Sequence, residues 1–161
     1  MINAEAAETI RAEVAEKDRE ALNAISGQIV DAAMRVHTVL GPGLLESAYE
    51  VCLAHELRKR GLRVETQFPL PVSYDGVSVD LGYRLDLLVE NEVVVELKAI
   101  ETVLPIHKAQ LLSYLRLGGK RLGLLINFHV NRLKDGITRI VNRFRSLFFS
   151  ELCGESLRPL R

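Results

Sequence analysis

The sequence lacks tryptophan and carries little aromatic or sulfur chemistry. Its 161 residues include four Tyr, five Phe and two Cys. The two cysteines, Cys52 and Cys153, lie far apart and form neither a disulfide framework nor a zinc-binding pattern, so a reducing compartment is the default. The shortage of aromatic side chains argues against the stacking platform that dedicated single-strand binders use.

Long apolar runs and signal-like segments are also missing. No stretch approaches the roughly 18 consecutive apolar residues that cross a bilayer, and the acidic N-terminus has no apolar centre of the kind that a secretory signal needs. We therefore expect a cytoplasmic protein without a membrane partner. With 48% apolar residues, a chain of this length can bury one globular core.

The formal net charge is zero, but the charges are distributed unevenly. Residues 106–161 hold 11 basic and three acidic side chains, an excess that the balanced whole chain hides. Such a segment is a weak indication of nucleic-acid binding, and it fits a solubilising surface equally well. Its candidate nucleic-acid contacts are Tyr114, Arg116, Lys120 and Arg121.

The apolar pattern predicts an α/β (α+β) fold with a mixed central sheet. Apolar residues at steps of three and four predict a helix that ends at Gly41, and a second helix at 44–60. From Arg63 the period changes to two, and residues 77–89 predict one long strand with odd positions in the core and even positions on a polar face. The later elements are a helix at 106–117, strands at 122–128 and 137–141, and an amphipathic helical tail over 140–152.

The register of the two central strands follows from the parity of their apolar positions. A slip of one residue would turn one apolar set to the wrong face, so opposed residues must share parity. The simplest such register has a three-residue loop centred on Asn91, a residue that tolerates left-handed φ. It predicts that Asp86 lies opposite Glu96, and that Arg84 lies opposite Lys98.

Two opposed carboxylates repel each other, and this pair therefore calls for compensation. A divalent cation provides it, because Mg²⁺ binds a few carboxylate oxygens and keeps water or phosphate in its other positions. Lys98 follows Glu96 on the same face, where an ammonium can orient a metal-bound water or neutralise charge on an attacked phosphodiester. The plain alternative is a solvated sheet face that carries a surface ion pair.

Five short motifs follow one another at coherent spacing between residues 25 and 142. They are GLLESAY from Gly43, YRLDLLV from Tyr83, ELK from Glu96, QLLSYL from Gln110 and GLLINF from Gly123. Together they closely resemble the GxxExxY protein family, which is grouped with the PD-(D/E)XK nuclease-like superfamily.

The resemblance implies a restriction-endonuclease-like core in which an antiparallel meander and a mixed sheet are flanked by helices. It also implies roles for five side chains. Asp86 and Glu96 would bind Mg²⁺ or Mn²⁺, joined by Glu46 from a helix. Lys98 would be the catalytic lysine, and Gln110 the polar catalytic residue of the following helix.

The leading hypothesis is a Mg²⁺-dependent nuclease that hydrolyses phosphodiester bonds of DNA or RNA with metal-activated water. A catalytically inactive module that binds nucleic acid or a protein partner is the alternative, and an accessory protein of stress or defence is a third interpretation. A homodimer is left open. The predicted organisation is a helical extension over 1–21, the nuclease-like domain over 22–142 and a tail over 143–161.

Overall fold

The computed structural model describes residues 3–143, in which helices cover both faces of a five-stranded sheet. Among the helices of this range, none is long and apolar enough to cross a membrane. The predicted helical tail over 140–152 is wrong at its start, where Ile140 and Val141 belong to a strand, and it lies outside the described residues from position 144 onward. The elements are α1 (Ala4–Leu40), α2 (Glu46–Lys59), β1 (Val64–Pro69), β2 (Val72–Tyr74), β3 (Val77–Val79), β4 (Arg84–Val89), β5 (Val93–Lys98), α3 (Pro105–Leu117), β6 (Leu122–Asn127), a 3-10 turn (Leu133–Gly136) and β7 (Ile137–Val141).

Helix α1 is continuous. Its first half is exposed to solvent, and its second half packs against the core. Asn3 caps its start, because the Asn3 side chain accepts a hydrogen bond from the Ala6 N–H. Its buried positions begin only at Leu22, and Gly41 ends the helix with a φ of 68°. The packed half therefore supplies the stripe that the apolar spacing predicts.

The sheet is mixed, as predicted, with the strand order β1-β4-β5-β6-β7. Strands β5 and β6 run parallel and are joined through α3, whereas the other neighbours are antiparallel. Helices α1 and α2 pack on one core cluster, and α3 packs on a second cluster across the sheet. Cys52 of α2 is half-buried against the first cluster.

The predicted register between β4 and β5 is confirmed where the two strands pair. Leu87–Val89 pair with Val93–Val95 in the predicted alignment. Glu90 and Asn91 turn the chain with φ values of 54° and 57°, in the left-handed region that Asn tolerates. The parity of the apolar positions therefore predicted both the β4–β5 turn and the residues that pair on either side of it.

The prediction of one long strand over residues 77–89 is wrong. Strand β3 pairs with β2 in a separate two-stranded sheet, and β4 begins only at Arg84. Between them the Gly82 N–H donates to the Asp80 carboxylate, and Gly82 has a φ of 76°. This local turn breaks the strand, and Leu81 of the alternating pattern is left 59% exposed.

The even-numbered face is also less polar than predicted. Leu88 and Val94 are fully buried and contribute to the cluster that includes Leu111 and Leu115 of α3. Because α3 covers this part of the sheet, both faces of β4 and β5 are core near the turn. Polar side chains are confined to the other end of the two strands.

Candidate active site

The start of α2 is fixed by Tyr49. Its hydroxyl donates to the Gly41 carbonyl over 2.6 Å and accepts from the Leu44 N–H over 3.1 Å. Its ring stacks on Phe128 with 4.3 Å between ring centroids. The tyrosine of the GLLESAY motif thus holds the loop before α2, and this places Glu46 in the first turn of that helix.

Strands β4 and β5 stop pairing where the polar residues begin. The last ladder pair is Leu87 with Val95. One step beyond it, the Leu97 N–H donates to Asp86 Oδ2 over 2.8 Å. A side-chain carboxylate therefore takes the place of a backbone carbonyl, and Asp86 is held against β5.

The predicted strand pairs of Asp86 with Glu96 and of Arg84 with Lys98 are not formed within the described ladder. Both lie beyond its last pair. The side chain of Asp86 engages β5 instead, and Arg84 pairs with Pro69 of β1 on the other side. The prediction is correct in its alignment and wrong in the length of the paired segment.

Glu96 and Lys98 form a buried ion pair. Lys98 Nζ donates to Glu96 Oε1 over 2.7 Å, and the Glu96 side chain is 5% exposed. Glu96 Oε2 is buried and has no hydrogen-bond partner among the described residues. Burial, followed by the nearby Asp86 carboxylate, raises the pKa of Glu96 to about 7 despite the attraction of Lys98.

The neighbouring groups share this electrostatic environment. Burial raises the pKa of Asp86, although the Leu97 N–H and Lys98 oppose the shift. Burial also raises the pKa of Glu46, against the attraction of Lys98. For Lys98 itself, burial lowers the pKa, but the hydrogen bond to Glu96 and the surrounding carboxylates outweigh burial and raise it. Lys98 is therefore an ammonium at neutral pH.

Two further side chains join this group, and sequence reasoning missed both. Gln67 Nε2 donates to Glu50 Oε2 over 2.7 Å, and interaction with the Gln67 side chain opposes the burial that raises the pKa of Asp86. Glu50 lies four residues after Glu46, so helical spacing alone could have placed both on one face of α2. Gln67 lies in β1, and no motif marks it.

The chain after Lys98 is anchored by β6. The Phe128 N–H donates to the Lys98 carbonyl over 2.8 Å. The buried Asn127 side chain accepts from the Ile100 N–H over 3.1 Å and donates to the Ile100 carbonyl over 2.7 Å. Asn127 thus acts on the backbone next to Lys98, a role that the GLLINF motif did not reveal.

Gln110 and Tyr114 are joined to each other rather than exposed as a polar stripe. Gln110 Nε2 donates to the Tyr114 hydroxyl over 2.7 Å. Tyr114 is 7% exposed and belongs to the core cluster under α3. Its ring is therefore not a surface for stacking bases, and contact of its hydroxyl with nucleic acid stays a prediction, as does a catalytic role for Gln110.

The predicted basic contacts lie at the far end of the sheet. Lys120 Nζ donates to the carbonyl and the side chain of Asn91, in the β4–β5 turn, over 2.7 and 2.9 Å. Arg121 lies 3.4 Å from Asp18 of α1, and Arg116 lies in the last turn of α3. Because β5 starts beside this turn and Glu96 is its fourth residue, about 10 Å of strand separates the basic residues from the Glu96 carboxylate.

The donor atoms of the site determine whether it can hold a divalent cation. No group of three or more His, Cys, Asp or Glu side chains within residues 3–143 is arranged to hold a metal ion. Mg²⁺, however, is commonly held by one or two carboxylates together with water. Asp86 and the unpartnered Glu96 Oε2 fit such a two-carboxylate site. Direct ligation by Glu46 as a third carboxylate stays a prediction.

Comparison with known proteins agrees with this geometry. Residues 23–140 match the family model of the PD-(D/E)XK nuclease superfamily. No curated protein and no solved structure matches the chain. The match includes every carboxylate of the site, and the mixed sheet flanked by helices confirms the restriction-endonuclease-like fold that the motifs implied.

Proposed function

Because the chain belongs to the PD-(D/E)XK nuclease superfamily, we propose that it is a metal-dependent nuclease that hydrolyses phosphodiester bonds of DNA or RNA. The observation that carries the proposal is the unpartnered, buried Glu96 Oε2 beside Asp86 and Lys98. A buried carboxylate oxygen without a donor is costly, and a cation would satisfy it. Membership of the GxxExxY group is part of the same proposal.

Asp86 and Glu96 would hold the cation, Mg²⁺ or Mn²⁺. A bound ion of this kind supplies Lewis-acid activation of the phosphate and lowers the pKa of a coordinated water. Lys98 holds its proton and brings positive charge to the place where the attacked phosphate gains negative charge. Glu46 lies in the first turn of α2 next to these groups, and burial raises the pKa of its carboxyl.

The basic residues fit a supporting role in substrate binding. Lys120 and Arg121 contact Asn91 and Asp18 at the other end of the sheet from the carboxylates, so we propose that they and Arg116 contact a flanking stretch of nucleic acid. We also propose a cytoplasmic location. Light scattering decides whether the protein is a homodimer.

The experiment uses labelled single- and double-stranded DNA and RNA, incubated with Mg²⁺, Mn²⁺ or EDTA. We expect cleavage by the wild-type protein in the presence of metal and none in EDTA. Glu96→Gln keeps the shape of the side chain but weakens the cation site, so we expect cleavage to fall by more than about 100-fold. Glu92→Gln is the matched control, since Glu92 is exposed in the turn at the other end of β5.

Two results would contradict the proposal. Wild-type protein that binds nucleic acid but cleaves none of the substrates with either metal would favour the inactive binding module. Equal cleavage by wild type and Glu96→Gln would show that the activity comes from elsewhere.

A further inference from the structure

Gln67 has an unusual backbone conformation for a residue inside a strand. Its φ is 51°, in the left-handed region that costs a non-glycine residue about 1–2 kcal/mol. The ladder between β1 and β4 lacks a pair of Gln67 with Asp86, although the pairs on both sides of this position share one register. The interruption is therefore local, and it occurs opposite a carboxylate of the site.

The Gln67 side chain interacts with two carboxylates that repel each other. Its amide donates to Glu50 Oε2 over 2.7 Å, and the register of the flanking strand pairs places Gln67 opposite Asp86. The charge of Asp86 raises the pKa of Glu50, so the two groups are close enough to interact. An amide NH₂ carries two hydrogens and can serve two acceptors. The Gln67 carbonyl in turn accepts from Arg84 Nη1 over 3.2 Å, which holds the kink in place.

We propose that Gln67 is a positioning residue, whose amide holds Glu50 and Asp86 together and keeps the Asp86 carboxylate in place beside Leu97 and Glu96. The strained backbone persists because it aims the amide at these two acceptors. The inference rests on the proposed function, since it takes Asp86 to be a metal ligand. Partners that orient a ligand commonly change metal affinity by about 10–100-fold when they are removed.

Calorimetric titration with Mn²⁺ tests the inference without an activity assay. Gln67→Gly removes the amide and accepts a left-handed φ without strain. We expect Mn²⁺ affinity to fall about 10-fold, with no loss of melting temperature in EDTA. Asp75→Gly is the matched control, because Asp75 is a non-glycine residue at φ 50° in the β2–β3 turn. Relief of strain there should leave Mn²⁺ affinity unchanged.

A double-mutant cycle with Glu50→Gln separates positioning from a general structural effect. Glu50→Gln removes the repulsion that Gln67 counters, so Gln67→Gly should weaken Mn²⁺ binding by less than about 3-fold in that background. Equal losses in both backgrounds would overturn the inference, as would wild-type affinity in the single variant. Wild-type protein that binds no Mn²⁺ would overturn the metal site and this inference together.

Discussion

The two ends of strands β4 and β5 differ in almost every physical property. Next to the turn, Leu87–Val89 and Val93–Val95 are paired, apolar and buried on both faces. At the other end, Asp86, Glu96 and Lys98 are polar, largely buried and held through side chains. The boundary lies where the ladder ends, at Leu87 and Val95, although Leu85 and Leu97 beyond it stay in the core. Stability and chemistry are thus separated along the same strands, and three measurements can test that division.

The largest loss of stability is expected for a substitution at the paired end of the strands, next to the β4–β5 turn. Leu87 is 0% exposed in the first core cluster, so Leu87→Ala removes buried surface and leaves a cavity. We expect the free energy of unfolding in urea to fall by about 2–5 kcal/mol. Val51→Ala is the control, since Val51 is 68% exposed on α2, and its effect should stay within about 0.5 kcal/mol. Similar losses in both variants would contradict the division.

A smaller, pH-dependent loss of stability is expected at Glu96. Its pKa is about 7 in the folded protein and 4.5 ordinarily, so the folded state keeps its proton longer as pH rises. The free energy of unfolding should therefore fall between about pH 4.5 and 7 and level off above that. Relative to Glu96→Gln in EDTA, we expect a loss on the order of 1–3 kcal/mol across this window.

Urea unfolding of both proteins at a series of pH values measures this loss, with Glu92→Gln as the control. A difference between wild type and Glu96→Gln that does not change with pH would show that Glu96 stays ionised in the fold. In that case its burial would be fully compensated by Lys98.

The smallest effect is expected for Asp86→Asn. Its charge raises the pKa of Glu46, Glu50 and Glu96, so the neutral amide should stabilise the metal-free protein by on the order of 1 kcal/mol. Millimolar Mn²⁺ should reverse the order, because wild type gains more from binding. Thermal melts of both proteins in EDTA and in Mn²⁺ decide this. Equal stabilisation by the metal would exclude Asp86 as a ligand.

Sequence reasoning found the alignment of β4 with β5 because apolar parity directly constrains which residues can oppose each other. It also predicted that Asp86, Glu96 and Lys98 lie close together, because their spacing puts them on one face of two neighbouring strands, and the structure places the three side chains in one cluster. The end of the ladder at Leu87 was not predictable by parity, because periodicity describes faces and carries no information about where two strands separate.

The contacts that position the side chains of the site could not be predicted from the sequence either. Gln67 and Asn127 act through bonds between segments that only the folded chain brings together. The spacing of Glu50 from Glu46 placed both on one face of α2. The hydrogen bond from Gln67 shows that Glu50 faces the site. The break at Gly82 was missed because a local Asx turn outweighed a regular alternation of apolar residues.

The aromatic stack of Tyr49 on Phe128 has a mechanical consequence. Phe128 supports the loop before α2 through Tyr49 and anchors the last residue of β5 through its own N–H. Glu46 on α2 and Lys98 on β5 are therefore both held by segments that contact Phe128. Thermal fluctuations that tilt α2 should carry the end of β5 with them, so the distance between Glu46 and Lys98 should vary less than the position of either.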